Sequence, residues 1–129
     1  MFQMKYLQHD VDAGCDPKCI ALIDELGVEA YGRYWLLLEF MARASGPVVD
    51  LSKRGMHRTL ERELRTDRDG LRDFLKALAE LELIAPDRLE EGHVASASFC
   101  RRREEMESNF VNGKKGGRPP KKGGVKGRG

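Results

Sequence analysis

The residues of this sequence that are best suited to bind a metal ion lie near its amino terminus. His9, Cys15 and Cys19 are of the types that bind zinc. The spacing of the two cysteines is loose and no second cysteine pair follows, so the pattern favours ordinary thiols over a zinc site. The same segment contains three aspartates, at positions 10, 12 and 16. They could gather a hard cation, but such side chains more often cap helices and turn the backbone, so we expect neither a metal nor a cofactor.

The other polar residues do not form a recognisable catalytic motif. There is no Ser/His/Asp order and no phosphate-binding glycine loop, and His9, His57 and His93 stand isolated, so we expect no enzyme activity. Three cysteines, an odd number, indicate reduced thiols and a cytoplasmic protein, in the host cell if a phage encodes it. No run approaches the roughly 20 apolar residues of a membrane span, and the first residues lack a signal-peptide pattern, so we expect no membrane partner.

The charges are distributed unevenly along the chain. Residues 113–129 hold seven of the 23 basic residues and no acidic one, so residues 1–112 keep 16 basic against 21 acidic residues, a net charge of −5. The seven are Lys114, Lys115, Arg118, Lys121, Lys122, Lys126 and Arg128. This Gly/Pro-rich tail cannot form a core and is expected to be disordered when free. We interpret it as a clamp for DNA phosphates, with a solubilising or linking tail as the alternative.

Within the tail, residues 116–122 resemble an AT-hook, the short element that lies extended in the minor groove of A/T-rich DNA. The resemblance rests on Gly117-Arg118-Pro119, with Gly116 where an arginine is usual. A narrow A-tract groove concentrates negative potential and attracts arginine, so the resemblance implies a preference for A/T-rich duplex DNA.

Helix signals organise the first forty-odd residues. Asp16 is a good N-cap and Pro17 a good first helical residue, and Gly27 can end that helix. Ile20, Leu22, Ile23 and Leu26 would form its apolar face. A second helix, about residues 29–44, is apolar nearly all round and should lie at the centre of a small domain. Its Trp35 could stack on nucleotide bases, but core packing is the favoured interpretation.

The segments after residue 47 complete the order of helices and strands that is typical of a winged helix-turn-helix domain. Residues 48–51 read as a strand, Ser52 as a cap and about 53–65 as a weaker helix, while Thr66 or Asp67 caps an amphipathic helix to about Leu81. Residues 83–85 and 93–95 suggest a hairpin around a turn at 86–92, and about 98–111 form a final helix. The sequence therefore predicts a mainly α fold with a small β-hairpin. This is a winged helix-turn-helix domain at 1–112, followed by a disordered basic tail at 113–129.

Several fixed spacings in the first forty residues carry a family resemblance. They are His9-Asp10-Val11-Asp12-Ala13, Asp16-Pro17-Lys18, Gly27, Tyr31-Gly32-Arg33-Tyr34-Trp35 and Leu37-Leu38-Glu39. This run resembles the N-terminal domain of phage and prophage replication proteins related to DnaD, the primosome component of Gram-positive bacteria. Ala30 stands where that family usually has glycine. The resemblance implies a winged-helix domain, self-association and a role in organising the replisome.

In a winged helix the helix near 67–81 would read DNA. Arg68, Arg72 and Lys76 share its face away from the leucines, and the preceding helix carries Arg58, Arg62 and Arg65. The same exposed side holds Asp69, Asp73 and Glu80 at spacings that pair with those cations, and the expected wing carries Asp87, Glu90 and Glu91 against Arg88. A solvated, salt-bridged surface is therefore as well supported as a groove-reading one.

The final helix carries Phe99, Met106 and Phe110 on one narrow stripe. Such a stripe suits a seam against the domain or against a partner, and together with the family resemblance it predicts self-association.

Two classes of function remain. The first is a DNA-binding replication accessory, in which the body assembles, the tail holds duplex DNA, and host or phage replication proteins are partners. The alternative is a small phage protein that docks its acidic surface on a host protein or nucleic-acid enzyme, as a helicase-loader-type or anti-CRISPR-like module. A transcriptional regulator is a lesser alternative.

Overall fold

The computed structural model describes residue 4, residues 6–7, 11–44 and 46, and residues 48–116, and for 113–116 it describes the backbone alone. Six α-helices and two short strands occur in this described part. The predicted fold class is confirmed, because the fold is mainly helical with a small antiparallel pair of strands. No helix in these residues combines the length and the apolar composition needed to cross a membrane.

The first helix, α1 (Pro17–Leu26), begins as its sequence predicts. The Asp16 side chain accepts a hydrogen bond from the backbone N–H of Lys18 at 2.9 Å, and Pro17 occupies the first helical position. Gly27 ends the helix at φ +93°, a conformation that L-residues with a side chain rarely adopt. The predicted apolar face was partly wrong, because Leu22 is buried but Ile20 and Leu26 are exposed.

The second helix, α2 (Val28–Arg43), lies at the centre of the core. Its fully or nearly fully buried side chains are Ala30, Tyr34, Leu37, Leu38, Met41 and Ala42. Trp35 is partly buried, packs against this core and meets the Tyr34 ring edge-on at 6.3 Å between centroids. Since both rings contact the domain itself, the favoured interpretation of the aromatic group as core packing agrees with the structure.

Helices α3 (Met56–Glu63) and α4 (Arg68–Glu80) pack against each other around a turn at 64–67. Leu60 and Leu64 are fully buried, as predicted. Asp67 caps α4, since its carboxylate accepts a hydrogen bond from the Gly70 N–H at 2.7 Å. Ser52 caps no helix, contrary to expectation. Its N–H and hydroxyl donate instead to the Asp50 carboxylate at 3.0 and 2.6 Å, a local turn that leaves Gly55 as the residue before α3.

The strands β1 (Val49–Asp50) and β2 (His93–Val94) pair antiparallel, with Val49 opposite Val94 and Asp50 opposite His93. The prediction of a strand at 83–85 was wrong. That segment is joined to residues 93–95 by a hydrogen bond from the Ala85 N–H to the Ala95 carbonyl oxygen at 2.8 Å, but it forms no strand. The expected turn is instead a short helix, α5 (Pro86–Glu90), because proline at a first helical position is pre-set for a helical turn.

The last helix, α6 (Ala97–Gly116), is longer than the predicted 98–111. At a rise of about 1.5 Å per residue it is roughly 30 Å long. Phe99 lies in the core and Met106 packs partly against it, so the first half of α6 is fixed to the domain.

Candidate nucleic-acid interface

Three cations follow one another along α4 at four-residue intervals, which places them on one side of the helix. They are Arg68, Arg72 and Lys76, and all three are exposed. Beside them lies a groove of about 400 Å³. The residues that line it with the three cations are Leu51, His57, Leu71, Leu75 and Leu89. The predicted row of cations therefore lies beside an apolar floor of leucine side chains, which no pattern in the sequence indicated. We call this feature the α4 groove.

The three cations differ in how far they are neutralised. The Arg72 guanidinium lies 3.3 Å from a carboxylate oxygen of Asp69 and 3.6 Å from one of Asp73, as their spacing predicts. The side chains of Arg72, Asp69 and Asp73 are each about two-thirds or more exposed, so these ion pairs are weak and exchangeable. Arg68 and Lys76 form no ion pair with any residue in the described ranges, and neither does Glu80. The positive field of α4 therefore comes mainly from Arg68 and Lys76.

Helix α3 and the turn that follows it add further positive charge. Arg58, Arg62 and Arg65 are exposed, as a nucleic-acid surface would require. Arg65 lies in the turn between α3 and α4 with a positive φ of 59°. A non-glycine residue in this conformation needs support from its surroundings.

That support comes from Arg33 of α2. Its Nε donates to the Leu64 carbonyl oxygen at 2.8 Å, its Nη2 reaches the Arg65 carbonyl oxygen at 3.4 Å, and its guanidinium lies 5.9 Å from the Phe74 ring centroid. Arg33 thereby satisfies carbonyls at the end of α3 and orients the turn that leads into α4. A cation between the aromatic residues Tyr31 and Tyr34 is the signal in the sequence that could have identified it.

Lys18 of α1 acts in the same way at the other end of α4. Its Nζ donates to the carbonyl oxygen of Glu82 at 3.2 Å, and Glu82 is the other described non-glycine residue with positive φ, at 61°. Both ends of α4 are therefore tied to the two N-terminal helices by cations whose partners are far away in the chain.

An acidic edge borders the groove on the α5 side. Asp87, Glu90 and Glu91 are exposed, and the Arg88 guanidinium lies 3.6 Å from the Glu91 carboxylate. Leu89 of the same helix lines the groove. The groove thus has cations along α4 and carboxylates along α5.

The strand pair beside the groove holds a second charged contact. The Asp50 carboxylate accepts two hydrogen bonds from Ser52 and lies 3.9 Å from His93 Nε2. The Ser52 hydrogen bonds, with a smaller contribution from His93, hold the pKa of Asp50 below its usual value.

The structure offers no support for metal chemistry within its described ranges. No group of three His, Cys, Asp or Glu side chains there could hold a metal ion. His9 and Asp10 lie outside the described residues. Burial raises the pKa of the Cys19 thiol, and the charge of Asp16 raises it further, the opposite of what a thiolate ligand or nucleophile needs.

The three residues predicted to mediate self-association differ from one another in how deeply they are buried. Phe99 is buried and Met106 is partly buried against the same domain, whereas Phe110 is 51% exposed. Phe110 is therefore the most exposed of the three side chains.

Most of the basic residues of the tail lie outside the residues that the structure describes. Lys114 and Lys115 lie in the last turn of α6, and their side chains are not described. The other five predicted phosphate contacts lie outside the described residues: Arg118, Lys121, Lys122, Lys126 and Arg128.

Comparison with known proteins identifies a family. The family model described as Lin1244/Lin1753-like, N-terminal, matches residues 6–98, which span α1 to the first residues of α6 and stop before the basic tail. No curated protein and no solved structure matches significantly. The relation to DnaD stays a prediction.

Proposed function

The chain belongs to the Lin1244/Lin1753-like family, a family of phage and prophage type, and we propose that it is a DNA-binding accessory protein of phage replication. The observation that carries this proposal is the row of exposed cations on α4, Arg68, Arg72 and Lys76. In a helix-turn-helix pair the second helix enters the major groove and its first residues meet the base edges. Here α4 is that second helix, and Arg68 is its first residue.

The ion pairs of Arg72 do not oppose this role. Exposed pairs of this kind contribute at most about 1 kcal/mol, and a phosphate group offers a guanidinium a stronger, bidentate partner. Arg72 can therefore leave Asp69 and Asp73 for DNA at little cost.

The basic tail supplies the larger part of the affinity in this proposal. It carries seven cations, whereas residues 1–112 have a net charge of −5 and on balance repel a polyanion. Sequence-independent phosphate contacts from the tail hold the duplex, and α4 meets it at the body. The Gly-Arg-Pro core at 117–119 adds a preference for A/T-rich duplexes.

The salt dependence of duplex binding tests the proposal. Fluorescence anisotropy is measured at several salt concentrations with the full chain and with a chain that ends at residue 112. Seven phosphate contacts give a log–log slope of about −6 and four give about −3.6. We expect the shortened chain to lose most of its affinity. Arg118→Ala should weaken binding to A/T-rich duplexes more than Lys126→Ala does.

A second set of variants separates α4 from the tail. In the full chain, Arg68→Gln with Lys76→Gln should lower affinity and reduce the salt slope, because each lost phosphate contact removes about 0.9 from it. Arg101→Gln, an exposed cation of α6, is the matched control and should change little. Equal affinity with and without residues 113–129 would return the DNA role to α4 alone. No binding by either chain at low salt would refute the proposal.

The replication part of the proposal has its own test. Gene neighbours that encode a helicase, a helicase loader or a single-strand binding protein are expected beside the gene for this chain. A nuclease target system in the gene context would favour the alternative function.

One observation favours that alternative, a module that binds a protein partner. The position of a wing is taken by α5, whose Asp87, Glu90 and Glu91 are exposed and would repel phosphates. An acidic edge beside an apolar groove suits a basic protein surface instead. If the DNA experiments fail in both chains, this is the function that the surface supports.

A further inference from the structure

The α4 groove has an apolar floor that contacts with DNA phosphates do not use. Four leucines line it: Leu51, Leu71, Leu75 and Leu89. Leu71 and Leu75 are buried, whereas Leu51 and Leu89 are half-buried and keep part of their surface open to solvent. Phosphate groups are met by cations and other hydrogen-bond donors, so they leave these leucines without a partner. The floor therefore points to a ligand that has apolar groups of its own.

The charges that line the groove have one sign. Arg68, Arg72 and Lys76 line it, and none of the described residues that line it is acidic. Arg68 and Lys76 form no ion pair in the described ranges, and the ion pairs of Arg72 are exposed and exchangeable. An occupant of opposite charge complements such a surface. The groove thus suits an apolar ligand that also carries carboxylates.

The spacing of the cations indicates the shape of this ligand. They follow one another at four-residue intervals, so at a rise of about 1.5 Å per residue the row from Arg68 to Lys76 is about 12 Å long. A small molecule with one carboxylate would meet only part of such a row. A helix with carboxylates at the same four-residue intervals matches all of it, and its apolar side chains at i, i+3 and i+7 lie together on one face.

We propose that the α4 groove binds an acidic amphipathic helix of another protein. The apolar face of this helix lies on the groove leucines, and its carboxylates face the cations of α4. On the α5 side, the exposed Asp87, Glu90 and Glu91 keep the acidic side of the bound helix turned towards α4. The inference goes beyond the proposed function and does not rest on it, since the groove and its charges are present without DNA.

Fluorescence anisotropy of labelled peptides measures this binding with the full chain and no DNA. The probe is an alanine-based helix with leucines at i, i+3 and i+7 and, beside them, glutamates at four-residue intervals. A second peptide has serine in place of each leucine and the same charge, so it reports attraction to the basic tail alone. We expect the leucine peptide to bind at least about tenfold more tightly than the serine peptide.

Variants of the groove identify the binding site. Lys76→Glu should weaken binding of the leucine peptide about tenfold. Of the two peptides that carry lysine at one end of the glutamate row, one should bind this variant as tightly as the original peptide binds the wild type. A changed peptide cannot restore a misfolded chain. Leu89→Ser should lower the affinity for the leucine peptide alone. Arg101→Glu, at an exposed cation of α6, is the matched control and should change neither affinity.

The other possible occupants of the groove give different results. Equal affinity for the leucine and serine peptides, or an unchanged affinity in Lys76→Glu, overturns the proposal. A chain that binds duplex DNA but not the leucine peptide also overturns it and leaves the proposed function standing. A chain that binds the peptide but no duplex supports the inference and refutes the proposed function. A full chain that sediments as a dimer until Lys76→Glu separates it has a second copy in the groove, which overturns the proposal as well.

Discussion

Replacing Arg33 with alanine should destabilise the fold more than any other single change to an exposed or half-exposed cation. Arg33 supports the turn between α3 and α4, where Arg65 holds a positive φ of 59°. The alanine variant leaves the Leu64 carbonyl without its donor in a partly buried place. The effect is therefore loss of a charged hydrogen bond together with loosening of a strained turn.

The magnitude follows from the three contacts of the guanidinium. The bond to the Leu64 carbonyl oxygen, at 2.8 Å, has a charged donor and contributes about 1.5 kcal/mol. The bond to the Arg65 carbonyl oxygen is long, at 3.4 Å, and exposed, so it adds little. The position 5.9 Å from the Phe74 ring centroid adds about 0.5 kcal/mol. We expect a loss of about 2 kcal/mol in the free energy of unfolding.

Chemical and thermal denaturation measure this loss, and a fall in Tm of roughly 6–10 °C corresponds to it in a domain of this size. The control is Arg43→Ala. Arg43 also joins α2 to α3, through an ion pair with Glu63 at 2.6 Å, but its side chain is 55% exposed. Such a pair contributes at most about 1 kcal/mol. If Arg33→Ala costs no more than Arg43→Ala, the argument that Arg33 supports the turn is wrong.

Two further changes test the backbone and the core. Glu82→Gly should raise the free energy of unfolding by about 1 kcal/mol, because Glu82 has φ of 61°; Glu82→Ala, which keeps the strain, should not, and denaturant titration distinguishes them. Burial raises the pKa of Tyr34 to about 12. The contribution of the protonated Tyr34 side chain to the free energy of unfolding is therefore complete below the ordinary tyrosine pKa of about 10, and it is lost as the pH rises from there towards 12. Tyr34→Phe should remove this part of the alkaline destabilisation, and an unchanged pH profile would contradict the burial argument.

The helices were predictable because their signals are local. Asp16 and Asp67 each lie a few residues from the N–H groups they cap, and the leucines of α4 recur at helical spacing, so a short window of sequence contains the information. The same locality made the row Arg68, Arg72 and Lys76 visible. Sequence also predicted the ion pairs of Arg72, since Asp69 and Asp73 lie within one turn of it.

The features that sequence missed depend on distant contacts. Strand β2 pairs with β1, more than forty residues earlier, and each strand is two residues long, too short for an alternating pattern to identify its partner. Lys18 and Arg33 donate to carbonyl groups, which every residue has, so no side-chain type marks their partners. The α4 groove is assembled from the residue that follows β1 and from α3, α4 and α5, and no single segment reveals it.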